Sequence, residues 1–137
     1  EHGVRLSASE QRIAEKVAPL LEQAGREGAW ARDLARDARE PEALMRTALA
    51  RLARRGELHQ VVKDLYFSQQ TMNDCANIVR ALAASGEGAL TVAGFRDASG
   101  LGRKRATQIL EYLDRIGMLR RIGDVHKLRP DSMLFTL

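Results

Sequence analysis

Two stretches decide the fold. Leu49-Ala50-Arg51-Leu52-Ala53-Arg54-Arg55-Gly56-Glu57-Leu58-His59-Gln60-Val61 and Leu110-Glu111-Tyr112-Leu113-Asp114-Arg115-Ile116-Gly117-Met118-Leu119-Arg120-Arg121-Ile122 lie 61 residues apart. Leu49 falls on Leu110, Leu52 on Leu113, Gly56 on Gly117, Leu58 on Leu119 and Val61 on Ile122. Moving outward at the same offset, Val17 falls on Ile78, Leu21 on Leu82 and Leu34 on Phe95. The shared positions are apolar or Gly, as a common core and a common turn require. One offset kept over a domain's length predicts an ungapped internal repeat.

Each copy reads as three helices and a hairpin. Ser7-Ala8-Ser9-Glu10 has the Ser-to-Glu spacing of a capping box and opens a helix with Ile13, Val17, Leu20 and Leu21 on one face. Thr71 takes the capping part in the second copy, followed by Ile78, Val79 and Leu82. Short second helices are expected around 32–38 and 94–98, and third helices over 42–54 and 103–116. Ala106, Ile109, Leu110, Leu113 and Ile116 form the helical stripe of the last one. Gly56 and Gly117 stand where a left-handed residue ends a helix. Leu58 to Val62 and Leu65 to Phe67 turn at Lys63-Asp64; Leu119 to Ile122 and Val125 to Leu128 turn at Gly123-Asp124. The fold class is therefore mainly α with small β-hairpins: two tandem winged helix-turn-helix domains, residues 1–70 and 71–137, joined by a polar hinge at Ser68 to Gln70.

Composition narrows the function. The 137 residues are 45% apolar, enough for a packed core, and no run is long enough to span a membrane. A net charge of +4 permits a nucleic-acid partner without requiring one. Cys75 is the only cysteine, so no disulfide framework exists and a reducing, cytoplasmic setting is expected. Cys75 with His2, His59 and His126 has no recognisable metal-ligand spacing. The chain starts at Glu1 with a polar segment, which reads as a piece of a longer protein without a signal peptide. There is no Ser/His/Asp set, acid pair or nucleotide loop, so no catalytic site is expected. Cys75 and Trp30 are expected to fill the cores.

The copies differ electrically. Residues 1–70 carry 12 basic and 11 acidic side chains, a net of +1; residues 71–137 carry 10 and 7, a net of +3. The third helix, the usual reader in this fold, opens with Glu40-Pro41-Glu42 in the first copy and with Leu101-Gly102-Arg103-Lys104-Arg105 in the second. On a helical wheel Lys104, Gln108, Glu111 and Arg115 point outward, against Ala43, Thr47, Ala50 and Arg54. A helix start approached through Gly100-Leu101-Gly102 offers backbone N–H groups and a positive dipole end to a phosphate. That segment is neither a dinucleotide fingerprint nor a P-loop. Arg121 and His126 in the second wing extend the candidate surface.

Residues 95–117, with Gly123-Asp124-Val125-His126-Lys127-Leu128-Arg129, resemble the last winged helix of the bacterial selenocysteine-specific elongation factor family, SelB. The preceding copy, with Val62-Lys63-Asp64 before Leu65-Tyr66-Phe67, is similar to that family's penultimate winged helix. The resemblance implies an RNA-binding, non-catalytic fragment that takes the SECIS mRNA hairpin. GTP and Mg²⁺ would belong to an N-terminal GTPase part, and the ribosome and selenocysteyl-tRNA would be met through the whole factor. Arg103, Lys104 and Arg105 match that family's basic run; with the residues read above, the expected RNA contacts are Leu101, Gly102, Arg103, Lys104, Arg105, Gln108, Arg121 and His126, in a monomer with no cofactor or metal of its own. A-form RNA has a major groove too narrow for a helix, so reading would occur at a loop or bulge. A DNA-binding regulator and a structural protein–protein module are the alternatives.

Overall fold

A computed structural model of the chain describes residues 5–136; His2 lies outside them. The chain forms two compact units, one ending at Thr71 and the next starting at Met72. The first unit runs α1 (Ala8–Ala24), a 3₁₀ turn, β1 (Ala29–Trp30), α2 (Ala31–Ala38), α3 (Glu42–Arg54), β2 (Leu58–Val62) and β3 (Leu65–Ser68). Then come α4 (Gln69–Ser85), β4 (Ala89–Leu90), α5 (Val92–Ser99), α6 (Arg103–Arg115), β5 (Leu119–Ile122) and β6 (Val125–Leu128). Each hairpin gains a third, two-residue strand that the sequence did not announce. The antiparallel orders are β1-β3-β2 and β4-β6-β5.

The helices begin and end for local reasons. Ser7 Oγ accepts from Glu10 N at 3.1 Å, and Glu10 Oε1 accepts from Ser7 N at 3.0 Å, closing the capping box. Glu10 is buried and also meets Arg51 of α3 at 3.4 Å. Gly56 and Gly117 take φ of 81° and 93° just past α3 and α6. The following N–H groups, of Glu57 and Met118, return to Leu52 O and Leu113 O at 3.0 Å. Both helices thus stop in the same left-handed turn.

Two expectations change at the boundary. Ser68 to Gln70 contains no loop: β3 ends at Ser68 and α4 starts at Gln69. Thr71 is not the cap. Ser68 Oγ accepts from Thr71 N at 3.0 Å, so Ser68 repeats Ser7 and Thr71 repeats Glu10.

The repeat is not ungapped. α2 and α3 recur as α5 and α6 at an offset of 61. The buried stripe of α1, Ile13, Val17 and Leu21, recurs as Cys75, Val79 and Ala83, at 62, while Ile78 and Leu82 stay half-buried. In the first wing Gln60 pairs with Tyr66 and Val62 with Leu65, which leaves Val61 as a bulged extra residue. The second wing has no bulge, and Ile122 pairs with Val125. Ile122 therefore matches Val62, at 60. Burial agrees, since Val61 is fully buried and Ile122 is exposed. What repeats is the buried face: in α4 it lies one residue later relative to the cap than in α1, and in the first wing the bulge takes up the extra residue.

The first core joins Ile13, Val17, Leu21, Leu34, Met45, Leu49, Leu52 and Tyr66. In the second unit Val79, Phe95, Ile109, Leu110, Leu113 and Met118 are fully buried. Cys75 is fully buried too, as expected of a small core residue. Trp30 is not: it is 40% exposed, because it lies at the start of α2 where β1 ends, with Leu34 filling the core position.

Candidate nucleic-acid interface

The basic helix entrance is held by its neighbours. α5 ends at Gly100, at φ 77°, whose N–H donates to Arg96 O at 3.0 Å. Ser99 Oγ then accepts from Leu101 N at 3.3 Å. Leu101 is buried and pins the segment to the core. Gly102 is the N-cap of α6, with extended backbone (φ −74°, ψ 166°) and no side chain to cap the helix. No acid lies in the first turn. The positive end of the helix is thus left to Arg103 and Lys104, both exposed.

Beside this entrance lies a groove of about 300 Å³. α6 lines it with Arg103, Thr107 and Glu111, the start of α5 with Thr91, Val92 and Ala93, and the wing with Arg121, Asp124 and His126. Thr91 caps α5, accepting from Gly94 N at 3.0 Å. Arg121 reaches across to Glu111 at 3.8 Å and donates to Gly123 O at 3.1 Å. The groove therefore carries two arginines and two acids, Glu111 mid-face, which answers the wing arginine, and Asp124 on the wing.

The structure sorts the eight predicted contacts. Gly102, Arg103, Lys104 and Arg121 are exposed on the groove or the helix entrance. Arg105 and Gln108 are half-buried and bound to each other, Arg105 donating to Gln108 Oε1. Arg105 is thus directed along the helix rather than outward with its two neighbours. Leu101 is corrected to a core anchor. His126 is corrected as well: it is 3% exposed, with Nδ1 at 3.0 and 2.9 Å from the two Asp114 carboxylate oxygens. Its ring ties the wing to α6. Sequence reasoning missed Asp114, because a pairing across twelve residues leaves no periodic trace. It also missed Thr91, although a Thr three residues before Gly94 is a capping signal.

The first unit carries the same groove with other chemistry. Its volume is about 250 Å³, lined by Trp30, Arg32, Glu42, Arg46, Lys63 and Asp64. Glu42 stands where Arg103 stands. Arg46 is held by Glu42 at 2.5 Å and by Asp64 at 3.3 Å. Glu40 is consumed structurally, taking Arg12 at 2.9 Å and Lys16 at 2.6 Å from α1. Hydrogen bonds from Arg12, then from Lys16, hold its carboxyl down at about 2. The acids at this helix entrance are bound to arginines and a lysine of the same unit.

The glycines of the α5–α6 connection do not fit a guanine nucleotide with Mg²⁺. Gly100-Leu101-Gly102 joins two helices, α5 and α6, whereas a phosphate-cradling loop leaves a strand. Among the described residues no group of three His, Cys, Asp or Glu could hold a metal ion, and no helix is long and apolar enough to cross a membrane.

Three helices closed by a wing, repeated in tandem with one basic helix entrance, define a tandem winged-helix protein. Known proteins narrow this further. Residues 6–67 match the family described as "Selenocysteine-specific elongation factor, winged helix domain", and residues 82–128 match "Elongation factor SelB, winged helix". The selenocysteine-specific elongation factor of Escherichia coli is 42% identical over 135 residues, 98% of this chain and 21% of the relative. That of Haemophilus influenzae is 33% identical over 137 residues, 22% of its length. The chain thus spans about a fifth of these relatives. It also superposes on the mRNA-binding domain of E. coli SelB solved in complex with SECIS RNA, with a TM-score of 0.82 and 42% identity. The match covers 90% of this chain and 99% of that domain. A bacterial EF-Sec crystal structure shares the fold at TM-score 0.67 and 22% identity. The chain belongs to the selenocysteine-specific elongation factor family, SelB.

Proposed function

We propose that this chain is the mRNA-binding end of a selenocysteine-specific elongation factor and that it grips a SECIS hairpin, so that a UGA codon is read as selenocysteine. The observation that carries this is the match over 99% of a SelB domain solved with SECIS RNA. The uncapped entrance of α6, with Arg103 and Lys104, supplies the chemistry. Backbone N–H groups and two cations converge where a phosphate can approach Gly102 closely. Arg121 and His126 line the wing side of the groove, while Leu101 anchors the helix entrance in the core.

The division into residues 1–70 and 71–137 is a division of labour: the second unit holds the hairpin and the first is a spacer. The chain itself is a monomer that hydrolyses nothing. GTP and Mg²⁺ act in another part of the factor, which meets selenocysteyl-tRNA and the ribosome in the cytoplasm.

The test is a gel shift with a SECIS-type hairpin against a loop-scrambled control. The chain should shift the first and not the second. Lys104→Ala, shown folded by circular dichroism, should weaken binding by roughly 1–3 kcal/mol, the range for a charge-assisted hydrogen bond. The log–log salt slope should flatten by about 0.7 to 0.9. Thr47→Ala, at the matching face of the first unit, should change neither. Equal shifts of hairpin and duplex DNA would favour a DNA-binding regulator, and no RNA binding would favour a protein–protein module.

A further inference from the structure

The second wing has an outer face that the hairpin groove does not use. Register places Arg121 opposite His126, and this pair faces α6. The alternate pair, Arg120 opposite Lys127, therefore projects from the other side of the sheet. Both are exposed, and among the described residues neither has an ion-pair partner. Like charges directly opposite on a sheet repel and cost stability. Arg129, two residues beyond Lys127, adds a third exposed cation, 3.5 Å from Asp131. Together with Ile122, which is 49% exposed, they rim an open depression of about 670 Å³.

The first unit shows that the fold does not require this. There the equivalent pair is His59 opposite Phe67. Phe67 is buried and His59 is half-buried, 2.7 Å from Gln69 Oε1. One wing thus closes its outer face with the buried Phe67 and a His59–Gln69 hydrogen bond, and the other presents opposed cations to solvent.

We propose that the outer face of β5–β6, through Arg120, Lys127 and Arg129, binds a second segment of RNA phosphodiester backbone, separate from the hairpin held at the start of α6. An anionic backbone relieves the Arg120–Lys127 repulsion, and Ile122 offers an apolar rim for a sugar or base. The choice of RNA over another polyanion rests on the RNA-binding reading above.

The probe is fluorescent polyuridylate, read by anisotropy on the whole chain, alone and after saturation with unlabelled SECIS-type hairpin. The parent should bind polyuridylate in both states. The double variant Arg120→Gln/Lys127→Gln should lose about tenfold or more of that affinity at low salt, with a slope flatter by about 0.7 for each cation removed. Its hairpin affinity should be unchanged, and its melting temperature equal or higher because the repulsion is gone. Arg129→Gln gives an independent single-cation check. The proposal falls if the double variant binds polyuridylate like the parent, or if the hairpin displaces polyuridylate completely. It also falls if polyglutamate or anionic lipid vesicles bind as tightly as polyuridylate. Should the hairpin itself fail to bind, the function proposed above falls, while polyuridylate alone still decides the outer face.

Discussion

Glu40 shows how one residue changes meaning between sequence and structure. In the sequence it is an anion that makes the first reading helix unfit for phosphate. In the structure it clamps α1 to the α2–α3 connection through Arg12 and Lys16. In the second copy, at the offset of 62 that relates α1 to α4, Arg12 and Lys16 fall on Asp74 and Ile78, and Glu40 falls on the buried Leu101, so the clamp is absent. Glu40 is held at about 2 against an ordinary value of 4.5. The unfolded chain therefore binds the proton first as pH falls, so the stabilisation is present above 4.5 and is lost on descending towards 2. Urea unfolding of the parent should weaken over that window more steeply than unfolding of Glu40→Gln. Parallel acid profiles for the two would show that the clamp contributes nothing. At Asp114, replacement by Ala should cost about 1–3 kcal/mol, because the buried His126 ring loses its hydrogen-bond partner. Asp114→Asn should recover much of that loss. Hairpin affinity should fall with Ala, since the wing is no longer tied to α6; thermal melts and anisotropy separate the two effects.

Among the elements, α6 is the one built against its own stability. α1 opens with a complete capping box, whereas α6 opens on Gly102 and three cations at the positive end of the dipole. Gly102 sits at φ −74°, a conformation open to any residue, and a Cβ there meets nothing within 4 Å. Gly102→Asp should therefore cap the helix and raise stability by about 0.5 kcal/mol. The same carboxylate would occupy the place proposed for phosphate, so hairpin binding should drop sharply. A higher melting temperature with unchanged affinity would move the RNA off the helix entrance.

For the whole molecule, two grooves of similar shape carry different charges. Arg103→Gln/Lys104→Gln in the complete chain should weaken hairpin binding by ~1–3 kcal/mol for each cation. Arg32→Gln/Lys63→Gln, in the first unit's groove, should leave it within a few tenths. Comparable losses from both pairs, measured by anisotropy at one salt concentration, would make the first unit a second reader rather than a spacer.

The sequence by itself determined the helices, the left-handed glycine stops, the wings and the basic entrance of α6. These follow from local rules: period, capping chemistry, and the sign of neighbouring charges. Even the family resemblance lay in short local runs, strongest over residues 95–129. Tertiary structure decided which of those residues are available. Leu101 and His126 read as surface contacts but are buried, and Trp30 read as core but lies 40% exposed. It decided the third strand of each sheet too, since two residues pair only when a hairpin edge is brought to them. It also set the true repeat offsets, 62, 61 and 60 along the chain, which follow buried faces. The physical reason is that burial and strand register depend on partners distant in the chain, such as Asp114 for His126, and no local pattern encodes who those partners are.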